Sequence, residues 1–364
     1  MGRIPVGIVG VGNCASSLLQ GIEFYRARER EAAVGLMHED IGGYRPGDIE
    51  VVCAFDIDQR KVGKPLDAAA LAPPNNTRLL HPKLARSSVV VQMGPILDGV
   101  AEHMREYPPE ETFVPASARP VEVARVLRES GAQILVNYLP VGSQLATEHY
   151  ARACLEAGVA FVNCIPVFIA SDPQWAAEFE RRRLPLVGDD VKSQLGATIV
   201  HRTLARLFAD RGLVLDRTYQ LNVGGNTDFL NMLNHARTQS KRQSKTEAVQ
   251  SVLAEPLARP NIHVGPSDHV PWLRDNKVCF MRLEGRGFAN APVELEVRLS
   301  VEDSPNSGGV VIDAIRCCRV ALDRGIGGAL TSVCAYLMKH PPRQMRDEVG
   351  REALERFLRG EIER

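Results

Sequence analysis

The sequence predicts an α/β fold with two parts: a doubly wound domain built on a parallel sheet, and a smaller α+β domain whose sheet is mostly antiparallel. Up to residue 212, short apolar runs alternate with helical patterns, and the first run ends in a glycine-rich turn. After residue 213 the pattern changes to an alternation with a period of two. A chain of 364 residues is also long for one domain.

The first half of the chain alternates strands with helices. Residues 4–9 form an apolar run, and apolar residues at helical spacing follow its glycine turn, which predicts a strand, a turn and a helix. Residues 26–48 mix charges with Gly and Pro and indicate an inserted loop. Residues 50–55 predict the second strand. The further predicted strands are residues 89–91, 134–139, 160–163 and 185–188, and the further helices are residues 121–130, 146–157 and 199–210.

The second sheet is predicted from alternation of polar and apolar residues. Residues 217–223 and 294–301 place apolar side chains on one side only, and residues 278–283 do so more weakly, as antiparallel strands with one wet face do. Helical composition returns at Gly308, and we expect this terminal segment to pack back onto the first domain. The predicted domains are residues 1–212 with 303–364, and residues 213–302.

The composition is that of an ordinary globular protein. Lys plus Arg and Asp plus Glu number 44 each, so net charge gives no reason to expect nucleic acid or an anionic membrane as a partner. No run of about 18 apolar residues is present, and the start lacks the pattern of a secretory signal. The 8 cysteines include no Cys-x-x-Cys pair, which favours buried thiols in a reducing compartment. We therefore predict a cytoplasmic protein without membrane contact.

The glycine turn Gly10-x-Gly12-x-x-Ala15 has the spacing of a dinucleotide-binding turn. Such a turn needs one glycine for its sharp bend, a second where the pyrophosphate approaches, and a small residue where helix meets strand. The strand before it and the helix after it favour this interpretation, and Asn13 and Cys14 then lie in the turn. The alternative is a glycine turn that binds nothing.

Asp56 ends the second strand, where an acidic residue holds the adenosine ribose in such folds. A carboxylate at this position favours NAD over NADP, since it would repel a 2′-phosphate. Asp58 is the second candidate, and the alternative for both is a solvated turn carboxylate.

A third motif, Gly-Asp-Asp-Val-Lys-Ser-Gln, follows the predicted strand at residues 185–188 and contains Asp190. The motif lies at the end of a strand, and in a doubly wound sheet the ends of the strands face the ligand crevice. Ser193 and Gln194, with backbone amides at the following helix start, suit a phosphate. The alternative is a helix-capping run with Lys192 in solvent.

Basic residues cluster just beyond the turn Gly-Gly-Asn-Thr-Asp at residues 224–228. Lys241 and Lys245 belong to this cluster, and close lysines repel one another and lower each other's pKa, as proton transfer near neutrality requires. The alternative is a solvated helix face. Asp303 begins one later helical segment, and Lys339 ends another. The alternative is that each residue only stabilises the terminus of its helix. His263 and His269 are predicted to be loop histidines, with a ligand role as the alternative.

Taken in order, these segments resemble the myo-inositol-1-phosphate synthases, in the shorter bacterial form of that family. The matching motifs recur in the order of the family from one end of the chain to the other, and the ordered set is specific although no single motif is. The motifs are residues 9–17, 139–143, 188–194, 222–226, 240–245, 302–307 and 336–339.

The resemblance implies an isomerase that converts glucose 6-phosphate into an inositol phosphate. In the chemistry of the family, NAD takes a hydride from C5, the resulting ketone acidifies the C6 protons, and the enolate attacks the C1 aldehyde. The same NADH then returns the hydride, so there is no net redox change. The resemblance also implies a homotetramer with the second sheet at its interface, and a divalent or monovalent cation near the nicotinamide whose ligands the sequence does not identify.

The resemblance and the motifs together assign the site residues. The expected catalytic residues are Lys241, Lys245, Lys339, Asp190 and Asp303, with Lys277 added on a poorer local match. The expected cofactor-binding residues are Gly10, Gly12, Asn13, Cys14, Ala15, Asp56, Ser143 and Asp190. The expected phosphate contacts are Ser193, Gln194 and Lys245.

Two other functions are compatible with the motifs. An NAD-dependent dehydrogenase of a phosphorylated metabolite would use a similar two-domain plan and would accumulate NADH. A catalytically silent NAD-binding sensor would bind the cofactor without turnover, and would leave the lysines unexplained.

Overall fold

The computed structural model describes residues 2–28, 34–81, 84–253 and 255–364. It contains a parallel sheet of seven strands and a second sheet of four. The strands are β1 (Ile4–Val9), β2 (Ile49–Asp56), β3 (Gln92–Met93), β4 (Ile134–Asn137), β5 (Ala160–Asn163), β6 (Pro185–Val187), β7 (Val214–Gly224), β8 (Ile262–His269), β9 (Asn276–Arg286), β10 (Pro292–Glu302) and β11 (Gly328–Ala329). The seven-stranded order β3-β2-β1-β4-β5-β6-β11 is that of a Rossmann-like doubly wound sheet.

Helices cover both faces of the parallel sheet. The α-helices of the described residues are α1 (Asn13–Arg26), α2 (Leu66–Leu71), α3 (Val123–Ser130), α4 (Gln144–Ala157), α5 (Pro173–Arg181), α6 (Ala197–Asp210), α7 (Thr227–Asn231), α8 (Gln239–Gln250), α9 (Asp303–Asp323), α10 (Thr331–Leu337) and α11 (Asp347–Leu358). One hydrophobic core joins α1, α9, α10 and α11 to the sheet, and a second joins α3, α4 and α5 to its other face. Among the described residues, no helix combines the length and apolar character needed to cross a membrane.

The second sheet has the order β10-β9-β7-β8. The β10–β9 and β9–β7 pairs are antiparallel, and the β7–β8 pair is parallel. Apolar side chains of β9 and β10 pack against α6 in a third core that includes Phe208 and Met281. The α/β class with a second, mostly antiparallel sheet is therefore confirmed. The domain limits stay a prediction, and α6 packs on the second sheet although it precedes residue 213.

The sequence did not predict β8, and placing His263 and His269 in a loop was wrong. Both residues lie in this strand, whose backbone pairs with β7 from Thr218 to Gly224. The strand is at the edge of the sheet and contains Gly-Pro, a combination that an edge position tolerates and that hides the usual strand pattern.

Two further element boundaries differ from the prediction. The predicted strand at residues 89–91 is wrong, because the backbone there bonds to residues 63–66 and the chain joins the sheet only at β3. The helix expected near Gly308 begins already at Asp303, directly after β10. This early start brings the first turn of α9 to the carboxyl edge of the parallel sheet.

Candidate active site

A cavity lies at the carboxyl edge of the parallel sheet, between this edge and the four-stranded sheet. Ligands of open α/β sheets bind in this crevice, outside the carboxyl ends of the strands. Most of the residues predicted from the sequence line it. These are Gly10, Gly12, Asn13, Cys14, Asp56, Asp190, Ser193, Lys241, Lys245, Lys277, Asp303 and Lys339.

The glycine turn has the shape that a dinucleotide requires. Gly10 has a φ of 85°, and a Cβ there would lie 2.6 Å from the Tyr138 carbonyl oxygen, so a larger residue is excluded. A Cβ on Gly12 would meet nothing within 4 Å, which leaves open space where a pyrophosphate approaches. Ala15 is fully buried in the core beneath the turn and does not reach the cavity.

Asp56 fixes the glycine turn and retains acceptor capacity. Its Oδ2 accepts a hydrogen bond from the Val11 amide at 2.7 Å, and its Oδ1 accepts from the amides of Ile57 and Asp58. A carboxylate has about four acceptor positions, so one is left for a ribose hydroxyl. Asp58 does not line the cavity, because its carboxylate is paired with Arg60.

Two polar residues at the beginning of α1 connect the turn to the residue before β9 and to the first turn of α9. The Asn13 Nδ2 atom donates to Asp275 Oδ1 at 3.2 Å, and the Cys14 thiol lies 3.7 Å from the Ser304 hydroxyl. Burial raises the pKa of Cys14 to about 12, so this thiol is neutral. Ser143 begins α4 and is fully buried outside the cavity, and its hydroxyl has no hydrogen-bond partner among the described residues.

Asp190 is the centre of the lysine cluster. Its Oδ1 accepts hydrogen bonds from Lys241 Nζ and Lys339 Nζ, each at 3.0 Å, and its Oδ2 accepts from the Ser244 hydroxyl at 2.7 Å. Burial would raise the pKa of this carboxyl, but the two ammonium groups hold it well below its usual range. Asp190 is therefore a permanent anion in a buried position.

A short antiparallel bridge fixes the backbone on both sides of this cluster. The Lys339 amide donates to the Asp190 carbonyl at 2.7 Å, and the Lys192 amide donates to the Leu337 carbonyl at 2.9 Å. The capping alternative for the acidic pair is wrong, because α6 begins after Gly196 without a side-chain cap.

Lys192 is buried, so the alternative that placed it in solvent is also wrong. Its Nζ donates to Asp347 Oδ1 at 3.2 Å, while Arg202 Nε donates to Asp347 Oδ2 at 2.9 Å. Arg202 also donates to the Ala248 carbonyl, near the end of α8. We call Lys192, Arg202 and Asp347 the basal triad. It ties together the chain segments that carry Asp190, Lys339 and the lysines of α8.

The environment pushes the pKa values of neighbouring lysines apart. Burial and repulsion by Lys241 lower the pKa of Lys245 to about 7. Burial outweighs the attraction of Asp190 at Lys339 and lowers its pKa to about 8. At Lys241, burial would lower the pKa, but the attraction of Asp190 and Asp228 exceeds it and raises the pKa. Opposite shifts of this kind separate a proton-transferring group from a permanent charge.

The N-terminus of α9 and the start of β9 contribute a second charged group. Lys277 Nζ donates to Asp303, and this ion pair outweighs burial and lowers the pKa of the Asp303 carboxyl. Asp275, which the sequence analysis did not select, accepts from Asn226 and Ser304 through its Oδ1. Burial raises the pKa of Asp275 to about 6. Neither Asp303 nor Ser304 caps α9, so the capping alternative is wrong here as well.

The beginning of α6 supplies the part of the cavity best suited to an anion. Ser193 lines the cavity together with Gly196, Ala197 and Thr198, where the unpaired amides of a helix start attract phosphate. Gln194 turns the other way, because its amide donates to the Gly35 carbonyl at 2.6 Å in the inserted loop. Gln194 is therefore not placed at the cavity, and Thr198 is a candidate that the sequence motif did not reveal.

A cation site is not defined by the residues present. In the described ranges, no group of three or more His, Cys, Asp or Glu side chains is arranged to hold a metal ion. Asp190 and Asp303, two of the acids that line the cavity, are already paired with lysines.

Comparisons with known proteins agree on one family. The family model described as myo-inositol-1-phosphate synthase matches residues 196–304. The chain is 53% identical over 364 residues to an inositol-3-phosphate synthase of Mycolicibacterium smegmatis, covering 99% of both chains. It is 52% identical over 359 residues to that of Mycobacterium tuberculosis, covering 98% of this chain and 96% of the relative.

The fold has the same relatives. A crystal structure of a myo-inositol-1-phosphate synthase-related protein from Thermotoga maritima superimposes with a TM-score of 0.81, covers 98% of each chain and is 24% identical. This likeness supports the two-sheet architecture, and the sequence identities over the full length decide the family. The chain belongs to the myo-inositol-1-phosphate synthase family.

Proposed function

We propose that this protein converts D-glucose 6-phosphate into 1D-myo-inositol 3-phosphate, with bound NAD and no net redox change. The observation that carries the proposal is the convergence of Lys241 and Lys339 on Asp190, with Lys245 lining the same crevice. An enzyme that moves several protons at one bound sugar needs bases and cations close together.

The residues around the glycine turn fit NAD. Gly12 leaves open space at the beginning of α1, and Asp56 keeps an acceptor position at the end of β2. When bound, NAD supplies a hydride acceptor for C5 and later returns the hydride to the closed ring. The Asp56 carboxylate favours NAD because a 2′-phosphate would meet its negative charge.

The lysines are proposed to have different roles in proton transfer because their charge states differ. Lys245, whose pKa is lowered to about 7, has a neutral fraction at physiological pH and suits proton removal from the substrate. Lys241 is held charged by Asp190 and suits stabilisation of the oxyanion at C1 during ring closure. Lys277 and Asp303 form an ion pair beside this centre and complete the proposed catalytic set.

The substrate phosphate is proposed to bind at the beginning of α6. Ser193, Thr198 and the amides after Gly196 line the cavity there, and Lys245, which lines the same cavity, is the proposed cationic contact. Gln194 is left out of this proposal, since its side chain is bonded to Gly35 outside the cavity.

We further propose a cytoplasmic homotetramer that assembles through the second sheet. Tyr219 and Phe280 are exposed on the sheet face opposite α6, and Phe288 in the β9–β10 turn is 95% exposed. Exposed aromatic residues in contiguous strands favour protein–protein contact. Light scattering on the purified protein tests the mass of the assembly.

The proposed reaction is tested by incubating the protein with NAD and glucose 6-phosphate and following the products by phosphorus NMR. We expect a new inositol monophosphate and no net rise in NADH absorbance. Accumulating NADH with an oxidised sugar phosphate would instead identify a dehydrogenase, and unchanged substrate would favour an NAD-binding sensor.

Replacing Asp56 with alanine tests the cofactor site. The variant loses a charged hydrogen-bond acceptor for the ribose, so we expect NAD to bind about 10- to 100-fold more weakly by calorimetry. The Glu50→Ala variant serves as the matched control. Glu50 lies on the same strand as Asp56 and forms an exposed ion pair with Arg3. An unchanged NAD affinity in Asp56→Ala would place the ribose contact elsewhere.

A further inference from the structure

Lys61 is a buried cation beside the glycine turn. Its side chain is 1% exposed, and its Nζ donates to the Val11 carbonyl and to Asn75 Oδ1, both at 2.8 Å. An ammonium has three donors, so these two bonds leave one. Lys61 also lines the cavity, together with Asn75 and Asp56.

Among the described residues, no carboxylate forms an ion pair with Lys61. Asp56 and Asp58 attract its ammonium from a longer distance, and this attraction does not offset its burial. The nearest acids are otherwise engaged: Asp56 accepts three backbone amides, and Asp58 is paired with Arg60. Burial accordingly lowers the pKa of Lys61. An unpaired buried cation is costly for a protein to keep, which points to a negative charge that arrives with a ligand.

The two hydrogen bonds of Lys61 do not by themselves explain why a lysine occupies this position. The Val11 carbonyl also accepts from Asn75 Nδ2 at 3.0 Å, and the Val11 amide is bonded to Asp56. Val11 thus keeps both of these bonds without the ammonium, and only Asn75 Oδ1 would lose its donor. A neutral residue would avoid the cost of burying the charge.

We propose that Lys61 is a cofactor-binding residue, whose ammonium compensates the diphosphate of the bound dinucleotide. The diphosphate is the negatively charged group that the glycine turn brings to this end of the crevice. The proposal rests on the proposed NAD site but not on the proposed reaction, since binding is measured without glucose 6-phosphate.

The test compares Lys61→Met and Lys61→Gln, with Lys64→Met at an exposed lysine nearby as the control. NAD and ADP-ribose are titrated by calorimetry, and adenosine, which has no phosphate, by ligand-observed NMR. We expect both Lys61 variants to bind NAD and ADP-ribose about 10- to 100-fold more weakly and adenosine unchanged. The unfolding temperature of the free Lys61→Met protein should change little, because the removal of a buried charge offsets the loss of the two hydrogen bonds of its ammonium.

Three results would overturn the proposal. Unchanged NAD affinity in both variants would show that the ammonium does not contact the diphosphate. Equal weakening of adenosine would show that Lys61 only supports the turn. A destabilised Lys61→Met protein beside a Lys61→Gln variant with normal NAD affinity would likewise indicate a structural role.

Discussion

Replacing Lys245 with alanine should lower kcat for inositol phosphate formation by about 10²- to 10⁴-fold, the usual contribution of a positioned proton-transfer group. NAD affinity should be unchanged, because Lys245 belongs to α8 and is not part of the glycine turn proposed to bind NAD. The rate is followed by product formation and the affinity by calorimetry. Arg242→Ala, at an exposed cation on the same helix, should keep full activity.

Two further observations separate proton transfer from charge at this position. Lys245→Arg keeps a positive charge but cannot lose its proton at neutral pH, so we expect it to be inactive as well. The wild-type rate should rise with pH through about 7, as the Lys245 ammonium loses its proton. An active Lys245→Arg enzyme would contradict the proposed base and would leave only a phosphate contact.

Replacing Asp190 with asparagine should abolish activity and destabilise the fold by about 3–5 kcal/mol, because it leaves buried cations without their partner. The Asp190 side chain is 1% exposed and holds both Lys241 and Lys339. Denaturant unfolding measures the loss. Asp210→Asn, at a half-exposed pair with Arg206, should cost less than about 1 kcal/mol and serves as the control.

The effect of Asp190 should depend on pH with a definite sign. Its pKa is lowered in the folded protein, so its stabilisation is present above the unfolded pKa of about 3.9 and is lost as the pH falls below it. The difference between wild type and Asp190→Asn should therefore shrink below about pH 4. Adding Lys241→Met to Asp190→Asn should restore part of the stability; a double variant no more stable than the single one would contradict the ion-pair account.

Most of the parallel half of the fold could be predicted because its strands carry their own signal. β4 and β5 are buried on both faces and appear in the sequence as short continuous apolar runs. β8 could not be predicted, since an edge strand with Gly-Pro depends on the backbone of β7 for its definition. β3 has only two residues, too few for any periodicity.

The site residues could be predicted where a local sequence pattern identifies them. Gly10 and Asp56 follow from a turn and a strand end, which the residues on either side of each already indicate in the sequence. Asp275 could not be selected, because its partner Asn13 is 262 positions away. The burial of Lys61 and Lys192 arises from contacts of the same long range. The sequence motif predicted Gln194 as a phosphate contact together with Ser193. Its side chain instead donates to Gly35 in the inserted loop, and only the folded position of that loop reveals this contact.

The ion pair between Asp190 and Lys339 can form only late in the synthesis of the chain. The two residues are 149 positions apart, and at about 5–20 residues per second the ribosome needs on the order of 10 s to add the second after the first. The glycine turn and β1, β2 and β4 emerge well before that. Because the proposed catalytic set includes Lys339, we expect a nascent chain that ends before this residue to be inactive.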